Sequence, residues 1–175
     1  GYAATSVSDI CTAAGLARNQ FYGEFANREK LLIDVYDLIQ SDLLTAVDTA
    51  LRSVTDGDRR EIVAAMMAAQ LDSLGSDPRR ARICYLEMVG VSDAVERHRA
   101  RRREKWLEYF EQTLRAQVGA DFVPPGGYRA AATAYLGALT ELVSDWSRAA
   151  PPRPSVDAIV ETMVAVLSAF VPDLG

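Results

Sequence analysis

Arg18, Asn19 and Gln20 are consecutive, and each carries a side chain that can read the edge of a base. An arginine can fork onto guanine, and an asparagine or glutamine can pair with adenine. Upstream, Ser6 and Ser8 stand where a helix should begin, so their hydroxyls and backbone N–H groups can hold a phosphate. Downstream, Arg28 and Lys30 add positive charge at the start of a further helix, where the dipole also favours an anion. The competing view of each of these residues is an ordinary solvated helix face.

A second set is large and soft. Met66, Met67, Leu71, Tyr85, Met88, Trp106, Tyr109, Phe110, Tyr135 and Leu139 are the types that line adaptable pockets, with Tyr and Trp able to add a directional hydrogen bond. The same residues would also make a plain helical core. Glu87 and Glu141 could give such a pocket one polar contact. The basic run from Arg97 to Arg103 is interleaved with Glu96 and followed by Glu104 and Glu108, which describes a solvated helix face with local ion pairs. His98 is the sole histidine and has no cysteine or carboxylate at metal-ligand spacing, so no metal site is expected. No nucleophile elbow or phosphate-cradling glycine loop is present, and neither an enzyme nor a bound cofactor is expected.

The elements that must position these residues can be read from local signals. Ser6 can cap a helix with Asp9 in its first turn, and Gly15 can end it in the left-handed conformation. Leu16 is expected to plug the turn. A second helix starts near Ala17, with Phe21 and Phe25 on its inner face and Arg18, Asn19, Gln20 and Tyr22 on the other. Asn27 caps a third. A short helix, a glycine turn and a second helix with a polar outer face is how proteins place side chains in a major groove.

Beyond Asn27 the apolar residues recur at helical spacing throughout. A helix from about Arg28 to Val54 would be about 40 Å long and ends at Thr55-Asp56-Gly57-Asp58. The next runs to Gly75, and Asp77-Pro78 restarts one that ends at Gly90. Ser92 caps a long helix to about Val118, Val123 to Gly127 is a loop, and a helix spans about Tyr128 to Ala149. Pro151-Pro152-Arg153-Pro154 breaks the chain before a last helix capped by Ser155. No stretch alternates with the period of a strand, so the predicted fold is all-α: an N-terminal helix-turn-helix in residues 1–30 followed by a helical domain in residues 31–175, to which the family resemblance given below assigns ligand binding and dimerisation. The penultimate helix sets small residues (Ala130, Ala131, Ala134, Ala138) against a large seam (Tyr135, Leu139, Leu142, Trp146), and the last is apolar over most of its circumference. Such faces need a further partner surface, and Ala134, Ala138, Trp146, Ile159, Met163 and Leu167 are the candidate contacts with a second subunit; the competing view is that both helices are simply buried inside one protomer.

The chain has 175 residues and a net charge of −5, which argues against a protein that coats nucleic acid over its whole surface. Residues 1–30 are themselves neutral, with Arg18, Arg28 and Lys30 set against Asp9, Glu24 and Glu29. No membrane span is evident. Cys11 and Cys84 lie far apart, a usage that suits a reducing cytoplasm.

The string GYAATSVSDI, the turn Ala14-Gly15-Leu16, the run Arg18 to Phe25 and the segment Asn27-Arg28-Glu29-Lys30-Leu31 resemble the tetracycline-repressor (TetR) family of transcriptional regulators. Tyr22 followed by Phe25 is the most specific part. The resemblance implies that Tyr22 donates its hydroxyl to a phosphate, and that the last two helices form a four-helix bundle with those of a second subunit. It also implies that the middle helices enclose a small apolar or aromatic ligand. Family members usually carry a helix before this point, so the sequence is expected to lack the first helix. Ala17, Gly23 and Glu24 depart from the usual pattern. The expected function is a ligand-responsive, homodimeric repressor that leaves a palindromic DNA operator when its ligand binds. A helical small-molecule carrier or interaction module that has lost DNA reading is the alternative, permitted by the neutral head and Glu24.

Overall fold

Capping chemistry sets the first helices. In the computed structural model, which describes residues 1–54, 58–118, 122–150 and 152–171, the Ser6 hydroxyl accepts the Asp9 N–H at 3.2 Å while the Asp9 carboxylate accepts the Ser6 N–H at 2.8 Å. This capping box opens α1, Val7–Ala14. Gly15, at φ 66°, ends it, and the Gly15 and Leu16 N–H groups bond back to Thr12 and Cys11 carbonyls at 3.3 and 2.9 Å. That paired arrangement closes the helix end. It also corrects the expected role of Leu16, whose side chain is 48% exposed. With its backbone held in this motif, Leu16 points outward, and the small core is closed by Cys11 and Phe21 instead.

Helix α2 is Arg18–Glu24. Ala17 has no side chain to cap it, but the Gln20 carboxamide oxygen accepts the Ala17 N–H at 2.8 Å, half of the missing box. Phe21 is buried, with its ring centroid 5.3 Å from that of Tyr22 and 5.4 Å from that of Phe25. Asn27 caps α3, Arg28–Ser53, by accepting the Lys30 N–H at 2.8 Å.

Helix α3 joins this head to the body without a break and lays Leu32, Tyr36, Ile39, Gln40, Leu43 and Val47 inward. It packs chiefly on α4, Arg59–Gly75, which Asp58 caps. Asp77 and Pro78 start α5, Pro78–Arg82. The single helix expected up to Gly90 is not continuous, because from Ile83 to Glu87 the backbone widens into a π turn. Such a turn re-aims side chains along a helix and recurs at functional sites. Helix α6, Asp93–Val118, starts where the Ser92 hydroxyl accepts the Val95 N–H at 3.2 Å. Helices α7, Tyr128–Arg148, and α8, Asp157–Ser168, complete the body, α7 against α6 and α8 against both α4 and α7. The core between them holds Leu43, Leu71, Met88, Leu107, Tyr135, Leu139 and Met163, and no strand occurs among the described residues. The breaks expected at Thr55-Asp56-Gly57 and at Pro151 fall outside the described residues.

The basic run on α6 is only partly a solvated face. Arg102 Nε donates to Asp37 Oδ1 at 2.6 Å, and His98 Nε2 lies 2.7 Å from the same oxygen, so the run clamps α6 to α3. Glu104 pairs with Arg129 of α7 at 2.6 Å rather than with its own helix. Partial burial alone would raise the Asp37 carboxyl, but hydrogen bonds and charge from Arg102 and His98 outweigh it and hold it below the usual range. A depressed folded pKa contributes stability above the unfolded value of about 4, and that contribution is lost as pH falls through the folded value. Asp37→Asn should therefore lower stability by about 1 kcal/mol at pH 7, and the difference should shrink once both proteins are taken well below pH 4. Urea unfolding of the two chains at both pH values checks this, and a constant difference would contradict it.

Candidate DNA-reading face and ligand cavity

On α2, Arg18, Asn19 and Tyr22 are exposed, with Tyr22 at 50%. Tyr22 lies four residues from Arg18 and three from Asn19, so the three share one face. Gln20 is also exposed, but its carboxamide oxygen is committed to the Ala17 N–H, which leaves its N–H donors for a base acceptor. Ser8 is exposed, whereas the Ser6 hydroxyl is engaged with Asp9. Lys30 pairs with Asp34 one turn along α3; both side chains are largely exposed, so the pair is weak and easily exchanged for a phosphate.

Arg28 is differently placed from the sequence expectation. Its guanidinium donates to the Tyr2 carbonyl at 2.9 Å and to the Thr5 carbonyl, and it lies over the Tyr2 ring at 4.2 Å. Rather than facing a phosphate, it ties the start of the chain to α3. Glu87 continues this joint, accepting the Tyr2 N–H at 2.6 Å and pairing with Arg82 at 2.6 Å. Glu87 thus belongs to the contact between head and body, and Glu141 is exposed on α7.

The large soft residues divide between two adjoining cavities. A narrow apolar one, about 50 Å³, is lined by Met66, Met67, Trp106, Tyr109, Phe110 and Tyr135 of the expected set, together with Val63 and Leu167. Within it Tyr135 stacks on Phe110 at 4.2 Å and donates its hydroxyl to the Met67 sulfur. The other, about 350 Å³, takes Tyr85, Leu139 and again Trp106. Leu71 and Met88 reach neither wall; both are packed in the core at 1% and 0% exposure.

Of these two cavities the larger therefore lies beside the apolar chamber, and its wall is the more polar one. Gln40 and Gln70 line the larger cavity, along with Glu96, Arg99, Arg103, Thr140 and the Cys84 thiol. Burial pushes Tyr36 and Cys84 up to about 12 and raises Tyr85 as well, so the phenols and the thiol stay neutral. Gln40 is buried on α3: its oxygen accepts the Trp106 indole N–H at 2.6 Å and its nitrogen lies 3.4 Å from the Cys84 sulfur. Gln40 is not among the residues expected from the sequence. The signal was a glutamine inside an otherwise apolar stripe, between Tyr36 and Leu43, where a buried amide demands partners.

The surface of the last two helices also differs from the expected contact set. Ile159, Met163 and Leu167 are buried within this protomer at 8%, 0% and 3% exposure. Trp146 is half-buried and donates to the Pro154 carbonyl at 2.9 Å, which pins the α7–α8 connection. Ala134 is exposed and Ala138 partly so. The exposed positions instead combine small residues, Ala130, Ala134 and Gly137 on α7 and Ala158, Thr162 and Ala165 on α8, with charged ones such as Arg129, Glu141, Asp145 and Glu161.

A small helix-turn-helix head with a polar recognition face, carried by a long helix into a body with an internal cavity, defines a DNA-binding regulator of the two-part helical kind. Residues 1–35 match the family described as bacterial regulatory proteins, tetR family. Over 152 residues the chain is 23% identical to the HTH-type transcriptional regulator AcrR of Shigella flexneri, covering 83% of this chain and 70% of that one. The fold is that of FadR from Bacillus halodurans (TM-score 0.76, 24% identity, 95% and 85% of the two chains). It is also that of FadR from Bacillus subtilis in complex with stearoyl-CoA (TM-score 0.71, 19% identity, 98% and 90%). The first 35 residues are thus similar to the tetR family of bacterial regulatory proteins, and the chain as a whole shares the fold of these solved regulators.

Proposed function

We propose that this protein is a homodimeric repressor that releases a palindromic operator when a small molecule enters the cavity beside Trp106. The observation that carries this reading is Gln40. It sits on the helix that begins at the head, and its amide is bonded to an indole that forms a wall of both cavities. A ligand that displaces Trp106 changes the packing of α3 and with it the position of α2. Occupation of the cavity then favours one of two body geometries, and a coupling of about 1–3 kcal/mol would change operator affinity 5- to 150-fold. Dimerisation through α7 and α8 is supported by their small outer residues, which let a second helix pair approach closely. The stearoyl-CoA bound by the Bacillus subtilis FadR supports ligand enclosure on this fold.

Selection from a random DNA pool with the full-length protein tests the reading. An inverted repeat should emerge, its half-sites separated by a whole number of helical turns. Arg18→Ala should then weaken the selected operator by about 1–3 kcal/mol and relax preference at a single base position. Recovery of no common sequence would favour a ligand carrier without DNA reading.

A further inference from the structure

Among the charged side chains lining the 350 Å³ cavity are Glu96, Arg99 and Arg103, and their charges do not cancel. The Glu96 carboxylate is fully committed, accepting the Gly90 N–H at 2.7 Å and the Arg99 guanidinium at 2.7 Å. Arg103, one turn further along α6, has neither ion pair nor hydrogen bond among the described residues, and it is exposed at the cavity wall. The remaining polar lining is neutral, since Gln40, Gln70 and Thr140 carry no charge and burial keeps the Tyr36, Tyr85 and Cys84 groups protonated. The groups that line the wall therefore carry one net positive charge, and the carboxylate that Arg103 feels, Glu104, lies off the wall and is hydrogen-bonded to Arg129. On its inner side the cavity shares Gln70, Trp106 and Leu136 with the apolar chamber, so a molecule with its charged end at Arg103 has hydrocarbon surface ahead of it.

We propose that the ligand is an anionic amphiphile, an apolar body bearing a negatively charged head such as a carboxylate, with the head on Arg103 and the body directed past Trp106 toward the apolar chamber. A guanidinium matches a carboxylate with two parallel N–H donors, and a charge-assisted pair of this kind is stronger than a neutral one. A cation would be repelled by Arg103, and a neutral head would forgo the charge-assisted pair. The proposal rests on the reading that this cavity is the ligand site, and it adds which chemistry the site selects.

Calorimetric titration with decanoate, decanol and decylamine separates the head from the chain. Decanoate should bind at least tenfold more tightly than either of the others. Arg103→Gln should remove at least that factor for decanoate and leave decanol unchanged. Arg97→Gln, which deletes an equal charge from an exposed position of the same helix that does not line the cavity, should change neither. Decanoyl-CoA tells the two sources of negative charge apart: tighter binding than decanoate, lost in Arg103→Gln, identifies a phosphate-bearing thioester, and weaker binding identifies a free acid. Equal binding of all three heads, equal losses in the two variants, or no binding of decanoate up to its solubility would overturn the proposal. Decanoate binding with unchanged operator affinity would leave it standing and count against the regulatory reading instead. Operator release driven equally by decanol would do the reverse.

Discussion

Replacing Phe21 with alanine is expected to abolish operator binding while the helical body stays folded. Within residues 1–31 only Cys11 and Phe21 are buried, so the head has almost no redundancy in its core. Phe21 is the one buried side chain of α2, with the Tyr22 and Phe25 rings packed on it, so its removal empties the seat of that helix. Truncating a buried phenylalanine costs about 3–5 kcal/mol, more than two short capped helices can absorb. The body core, centred on Leu43, Leu71, Met88, Leu107 and Tyr135, lies on other elements and should keep its cooperative unfolding. Hydrogen exchange should show fast amides confined to α1 and α2, and fluorescence anisotropy should show operator affinity reduced by more than a hundredfold. Affinity within a few-fold of the parent protein would mean that the recognition face does not depend on this core.

Gln40→Leu is expected to separate ligand binding from operator release. The substitution is close in volume, so α3 should remain helical and packed, but the Trp106 N–H loses its acceptor in a part-buried place. An unsatisfied donor there costs about 1–3 kcal/mol, and the indole becomes free to move without displacing α3. The ligand should still bind, and the ratio of operator affinities with and without it should collapse toward one. Adding Trp106→Phe removes the orphaned donor, so the double variant should regain part of the lost stability but none of the coupling, a non-additivity that a double-mutant cycle measures directly. An unchanged affinity ratio in Gln40→Leu would place the transmission elsewhere, and the joint at Glu87, Tyr2 and Arg28 would be the next element to test.

The contrast between these two variants follows from where each residue's partners lie. Phe21 was legible as a core residue because Phe25 is four positions away on the same helix. Gln40 was not, because Trp106 and Cys84 are brought to it by other elements. Arg28 illustrates the same limit from the other side. Its place at a helix N-terminus suggested a phosphate contact, but its guanidinium is engaged by the carbonyls of Tyr2 and Thr5 and lies over the Tyr2 ring.

What the amino-acid order determined by itself is what depends on neighbours within about four residues. The Ser6–Asp9 box, the left-handed Gly15, the Asn27 cap, the Asp77-Pro78 start and the polar face of Arg18, Asn19 and Tyr22 are all of this kind. So is the succession of helices with apolar stripes. Only the tertiary structure decided which stripe faces which neighbour. It sent Ile159, Met163 and Leu167 into this protomer, left Leu16 outside, placed Leu71 and Met88 in the core instead of a cavity wall, and turned the basic run inward at Arg102 and toward the cavity at Arg103. A helix with apolar residues over more than half its circumference can bury any of several faces. The choice is made by the shapes and charges of elements tens of residues away, to which no local spacing is sensitive.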